Sequence, residues 1–260
     1  MASHRPGQEK KSLSSSLKTA PVHLPPPPSP SCPFCGIASA YPPVRPTSSA
    51  AAARALQRDA NADANAEARP RAHLILSTKH VLAFLDIMPL TKGHVLLVTR
   101  GHWEKLGDVG VEVGKELGKW LLVISRVVTR TVLGRDQEAH WNVVQNNGTR
   151  AAQVVPHIHF HIIPRPADNA SSSSSNTTAA ARSPSWTMFG RGQREELDDE
   201  EGEKLARLMR EELAREVKRI KDEEGIDLDL DDDNDNNGDY RNVRDVNGTV
   251  TTKGRGLEKL

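Results

Sequence analysis

Apolar positions are unevenly spread along the chain, and their spacing predicts its elements. His73–Leu76 and His80–Leu85 are short apolar runs around a polar Ser77-Thr78-Lys79 turn, and Gly93–Thr99 is a third; all three read as strands. From Val109 to about Thr131 the apolar positions Val113, Leu117, Trp120, Leu121, Ile124, Val127 and Val128 recur at steps of three and four. That period predicts an amphipathic helix packed on a sheet, with Gly134 as its stop. Trp141–Gln145 predicts a fourth strand and Asn146-Asn147-Gly148 a turn. The next stretch, Pro156 to Arg165, alternates strictly. In an extended strand His157, His159 and His161 share one face and Ile158, Phe160 and Ile162 the opposite, buried one, and Pro164 and Pro166 end it. A last helix is predicted over Glu195–Glu224, with Leu205, Leu208, Met209, Leu213, Val217 and Ile220 on one stripe. Its acids lead and its bases trail, as the helix dipole favours.

The remaining stretches have no such period. Residues 1–31 are rich in Lys, Ser and Pro and read as disordered. Residues 38–70, with an Ala/Arg/Asp/Asn tract from Ala50 to Arg69, read as a low-complexity insertion. Residues 167–185 read as a flexible linker, whereas Trp186, Met188 and Phe189 are too apolar for one and open an extension over 186–224. Residues 225–260 read as a disordered acidic and polar tail. With 37% hydrophobic and 4% aromatic residues and 17 prolines in 260, the chain predicts one modest core carrying additions.

A formal net charge of +1 argues for neither a nucleic-acid nor a membrane partner, and sequence-specific nucleic-acid binding is not expected. No apolar run has the length of a membrane span, and no secretory core is visible. The expected location is intracellular, cytoplasm and/or nucleus; the Ser-rich, acid-poor start keeps a mitochondrial alternative. The Asn-x-Ser/Thr sequons are then not glycosylated, and two cysteines do not make a disulfide framework.

Candidate chemistry lies in two places. Three imidazoles spaced roughly 7 Å apart along one strand face are costly to bury without partners, so the row is solvent-facing or working. Cys32-Pro33-Phe34-Cys35 brings two thiols together. A thioredoxin-like redox site expects a βα context that does not follow, which leaves a metal knuckle or two idle thiols.

Taken together these motifs resemble the histidine-triad (HIT) family. Gln153 to Arg165 is similar to its His-φ-His-φ-His-φ-φ signature. Leu82–Ile87, Lys92–Val98, Arg100-Gly101-His102 and Asn146-Asn147-Gly148 resemble its earlier blocks in order, over about residues 32–166. The resemblance implies an α+β, HIT-like fold: an antiparallel sheet of about five strands, one long core helix and a C-terminal helix. It also implies a homodimer and a purine nucleotide substrate attacked at the α-phosphate through a nucleotidyl-histidine intermediate. His159 is then the nucleophile, His161 a phosphate or leaving-group contact, and His94 a neighbour that sets proton position. Asn146 and Gln153 hold phosphate, Asp86 the ribose, and Ile87 and Phe84 the base. A subgroup that begins with Cys-x-x-Cys implies structural zinc on Cys32, Cys35, His102 and His157, and no organic cofactor is expected.

The sequence departs from the family where Val154 replaces a common Ser or Thr and Ala152 a common Gly. The first-choice activity is hydrolysis of an adenosine phosphoramidate. The alternatives are a diadenosine polyphosphate hydrolase of the Fhit type, a nucleotide-binding scaffold acting through Trp186–Ile220 as a partner helix, and a metalloenzyme using the triad itself as ligands.

Overall fold

The computed structural model describes residues 25–48, 71–134, 138–166 and 194–229, and the backbone of 242–244 and 250–252. The first 24 residues, the Ala50–Arg69 tract, the linker, Trp186, Met188 and Phe189 lie outside the described residues. The elements are α1 (Pro33–Ala40), β1 (Leu74–Ser77), β2 (Val81–Leu85), β3 (Val95–Thr99), α2 (Val111–Val132), β4 (Trp141–Gln145), β5 (His159–Pro164) and α3 (Asp199–Glu224). The five strands form one antiparallel sheet in the order β1-β2-β3-β5-β4. This is the α+β architecture the sequence predicts. Among the described residues no helix is long and apolar enough to cross a membrane.

Strand register divides the sheet into two faces. Residues directly opposite one another in an antiparallel pair share a face. Val81, Ala83, Leu85, Val95, Leu97 and Ile162 point one way, onto Leu117, Trp120, Ile124, Val127 and Val128 of α2 and Leu205, Met209, Leu213, Val217 and Ile220 of α3. Leu82, Phe84, Leu96 and Val98 point the other way, onto Cys32, Phe34, Cys35, Ile37 and Ala38 around α1. Val98 is opposite His159 and Leu96 is opposite His161. The histidines therefore continue the α1 face, beside a buried apolar patch. Ile158, Phe160 and Ile162 pack into the α2/α3 core.

Close packing explains one glycine. Gly93 has φ +83°, and a Cβ there would lie 2.4 Å from Val132 at the end of α2. This residue sets β3 against α2 just before His94.

Four details correct the sequence reading. His157 is not in the strand, which begins at His159; it lies in a bend where its N–H donates to the Val155 carbonyl at 2.8 Å. The tract from residue 38 is folded through Ser48: α1 runs to Ala40, and the Val44 N–H donates to the Ser77 carbonyl at 2.9 Å. The tail from residue 225 is ordered at its start, where Leu228 is buried and the Asp229 carboxylate accepts from Thr47 N–H and Oγ1. Farther on, the backbones of 242–244 and 250–252 pair antiparallel. Finally, α3 begins at Asp199, with Asp198 as its cap accepting from the Glu201 N–H. Its apolar stripe belongs to the domain core, which leaves no free partner face on that side, and Leu208 lies off the stripe, 38% exposed.

Ion pairs clamp α3 to α2. The Glu216 carboxylate, 1% exposed as a residue, accepts from Arg126 at 3.0 Å, from Arg130, and from Arg219 at 2.8 and 3.0 Å. Burial alone would raise its pKa; the three guanidiniums overcome that and hold it at about 2. A carboxylate depressed in the fold stabilises above its ordinary value of 4.5, and that stability is lost as pH falls toward about 2. Glu216→Gln is expected to cost on the order of 2 kcal/mol at pH 7, the scale of a hydrogen bond to a charged group. In urea unfolding, the gap between wild type and variant should shrink between pH 4.5 and 2. A gap that stays constant across that window would show that Glu216 is not the titrating clamp.

Candidate functional site

The site is built on β5 and the residues its neighbours bring to it. His159 is 5% exposed, and its Nδ1 lies 2.7 Å from the His157 carbonyl oxygen. A carbonyl can only accept, so Nδ1 carries the proton and Nε2 keeps its lone pair. Burial pushes the His159 pKa down, opposed by the bond to the His157 carbonyl and by the Asp86 charge. A neutral ring with a free Nε2 is a nucleophile in its reactive form.

His94 lies just before β3 and is 1% exposed. The Leu90 N–H donates to its Nδ1 at 3.2 Å, which puts the proton on Nε2. His94 Nε2–H then donates to His161 Nδ1 at 2.9 Å, and His161 in turn presents Nε2–H as a donor. The rings of His159 and His161 are 4.9 Å apart in an edge arrangement, so this donor neighbours the His159 ring. Burial, then His161, lowers His94 to about 3; burial, then His159, lowers His161 to about 4. At neutral pH the group is uncharged, with its tautomers set by fixed partners.

Asp86 closes this network. Its Oδ1 accepts from the Met88 N–H at 2.9 Å, and its Oδ2 is 3.4 Å from His94 Nδ1. Burial pushes its pKa up, opposed by the Met88 hydrogen bond. Asp86 thus folds its own loop and also faces the histidines. Ile87, 56% exposed, and Met88, 37% exposed, stand beside it, whereas Phe84 is buried against Phe34 with ring centroids 5.8 Å apart. Asp86, His94 and His161 have donor atoms within 4.8 Å of one another. Asp86 nevertheless lies on the Nδ1 side of His94 and His161 on its Nε2 side, so the three form a row in which His94 and His161 are hydrogen-bonded and Asp86 stands beside the His94 ring.

Gln153 and Asn146 shape the loop before β5. Gln153 Oε1 accepts from the Gly148 N–H at 2.5 Å, and its Nε2 donates to the carbonyls of Glu104 at 2.7 Å and His157 at 3.3 Å. Both ends of its amide are engaged in holding the loop. Asn146 Nδ2 donates to the Ala152 carbonyl at 3.4 Å. Ala152 takes the left-handed conformation, φ 61°, which costs a non-glycine residue on the order of 1–2 kcal/mol. Val154 is 90% exposed beside the triad.

Four donors converge behind His159. Cys32 Sγ lies 3.4 Å and Cys35 Sγ 3.7 Å from His157 Nδ1; Cys35 Sγ lies 3.2 Å from His102 Nδ1, and the two Nδ1 atoms are 3.3 Å apart. A zinc tetrahedron with Zn–S about 2.3 Å and Zn–N about 2.0–2.1 Å requires S···N near about 3.5 Å and N···N near about 3.3 Å. The donor set has that size. His157 Nε2–H donates to the Thr99 carbonyl at 2.8 Å, which leaves Nδ1 free to ligate. Burial holds His157 down at about 4 and pushes the Cys35 thiol up. His157, His159 and His161 do not converge on a common point among the described residues, which rules against the triad as a ligand set.

Three contributors are not visible in the sequence pattern. Phe34 lies edge-on to His157 and His159, with centroids 5.7 and 5.3 Å away, between the cysteine cluster and the His159 ring. Its position inside Cys-x-x-Cys was the available signal. Thr99 and the Leu90 N–H act through backbone atoms, which a pattern of side chains does not reveal.

The HIT domain family matches residues 67–168. An uncharacterized HIT-like protein of Methanocaldococcus jannaschii is 40% identical over 94 residues, which are 36% of this chain and 69% of that protein. The adenosine 5'-monophosphoramidase hnt1 of Schizosaccharomyces pombe is 40% identical over 85 residues, 33% of this chain and 58% of the relative. A crystal structure of a zinc-bound histidine triad family protein from Mycobacterium smegmatis shares 25% identity, with a TM-score of 0.43, over 71% of this chain and 94% of that one. The chain belongs to the HIT family.

Proposed function

We propose that the chain is a nucleotide hydrolase acting at the α-phosphate of a nucleoside 5'-monophosphate derivative of phosphoramidate type. The observation that carries this reading is the neutral His159, whose Nδ1–H is held by the His157 carbonyl so that Nε2 keeps its lone pair. Nε2 attacks phosphorus, the P–N bond breaks, and the amine leaves with a proton from solvent. Water then attacks the nucleotidyl-imidazole, releases the monophosphate and returns the ring to its starting tautomer. The His161 Nε2–H stabilises charge on a phosphoryl oxygen or on the departing nitrogen. Ile87 and Met88 offer apolar surface for a base next to Asp86. Relatives named adenosine 5'-monophosphoramidase in S. pombe and Saccharomyces cerevisiae support the substrate class; this chain spans 58% and 52% of their lengths.

The full chain should hydrolyse adenosine 5'-phosphoramidate faster than diadenosine tri- or tetraphosphate. His159→Ala should lower that rate by at least about 1,000-fold, because no second nucleophile replaces the ring. Equal rates in wild type and variant would sink the nucleophile assignment.

We further propose that Cys32, Cys35, His102 and His157 hold a structural Zn²⁺, supported by the tetrahedral spacing of their donors. When bound, the ion would supply a fixed crosslink between the start of α1, the loop after β3 and the bend that leads into β5. Metal analysis of purified protein should find about one zinc per chain in wild type and in His159→Ala, and none in Cys32→Ala. Loss of the metal from His159→Ala with retention in Cys32→Ala would move it into the triad and overturn this assignment.

A further inference from the structure

The loop after β2 is held from two sides. On one side its N–H groups find partners within the HIT-matched residues. The Leu85 N–H donates to the His73 carbonyl at 3.1 Å, the Asp86 N–H to the His94 carbonyl at 2.9 Å, and the Met88 N–H to Asp86 Oδ1 at 2.9 Å. On the other side its carbonyls go to the extended segment 194–198, which leads into α3 and lies outside the residues the HIT domain matches. The Leu197 N–H donates to the Ile87 carbonyl at 2.9 Å, and Arg194 Nη1 donates to the Met88 carbonyl at 3.3 Å.

The segment is itself anchored where α3 begins. Leu197 is half-buried and packs against the α2/α3 core, and the Asp198 side chain caps the helix. The first turn of α3 sits close on His73: a Cβ on Gly202 would lie 2.4 Å from the His73 ring. Glycine weakens a helix interior, and this close approach is a reason for one here. The His73 carbonyl holds Leu85, the residue before Asp86, so the start of α3 and the loop share one support. Ile87 and Met88 expose their apolar side chains from this loop. A binding wall already fixed in place spares the cost of ordering it when a ligand arrives.

We infer that segment 194–198 is a positioning element for base recognition: the Leu197 N–H, supported by Arg194, sets the Ile87–Met88 wall. This rests on the nucleotide reading of the site, in which that wall receives the base. It gives a segment outside the matched domain a part in what the site binds.

The test is calorimetric titration of the full chain with AMP and with ribose 5-phosphate, which differ by the base alone. Both carry the phosphate, so an effect on phosphate binding cancels in the ratio of the two affinities. Wild type should bind AMP more tightly. Leu197→Pro deletes the N–H and should lower the ratio by about tenfold, one hydrogen bond's worth, whereas Leu197→Ala keeps the N–H and should retain most of it. Arg194→Ala, at an exposed position, should fold as wild type does and lower the ratio by about threefold, so the test survives a Leu197→Pro chain that fails to fold. In turnover of adenosine 5'-phosphoramidate the loss should fall on KM more than on kcat. Wild-type ratios in folded Leu197→Pro or in Arg194→Ala, or losses that fall equally on both ligands, would overturn the positioning role and leave the nucleotide reading standing. Failure of wild type to bind either ligand would remove the nucleotide reading and this inference with it.

Discussion

His157 holds the site together because it is used at both ends. Its ring nitrogen joins the cysteine cluster, and its backbone carbonyl takes the proton of His159 Nδ1. Moving His157 would shift a member of the Cys/His cluster and release the tautomer of His159 together. The bend that takes His157 out of β5 serves both contacts. Thr99 on β3 fixes the ring from behind, and Gln153 reaches the same carbonyl from the loop. The His159 tautomer is thus set by protein atoms fixed by their own partners, the kind of arrangement on which electrostatic preorganisation depends.

The sheet supplies the environment this preparation needs. One face is sealed by α2 and α3, which the Glu216 ion pairs join. The other carries α1 and the histidines together. Because His159 and His161 pair with Val98 and Leu96, they are half surrounded by hydrocarbon, and burial is the largest cause of their lowered pKa values. Histidines on a wetter strand would be partly protonated near pH 6.5, and a protonated ring cannot attack. The apolar neighbours of the triad are therefore part of its chemistry.

Much of this was legible in the sequence because period and spacing are local. Alternation in Ile158–Ile162 placed the histidines on one face, and steps of three and four located α2 and the stripe of α3. What escaped depended on partners distant in sequence. His157 leaves the strand for contacts at Cys32 and Thr99, which no local pattern encodes. Residues 41–48 look like an unstructured insertion, yet Val44 and Thr47 find partners at Ser77 and Asp229. The α3 stripe matched a partner helix and a core helix equally well, and only packing on α2 decides between them. The resemblance assigns Gln153 to phosphate, and the fold adds contacts of its amide with Gly148, Glu104 and His157. Its role in the loop could not be read before the loop was closed.

The central claim is that the His157 carbonyl keeps His159 neutral, protonated on Nδ1 and bare on Nε2. Nitrogen-15 NMR of the histidine rings at pH 7, with His159 assigned through His159→Gln, reads that state directly. The account predicts a neutral ring with the proton on Nδ1 and an unprotonated Nε2. A proton on Nε2, or a charged ring at that pH, would contradict it.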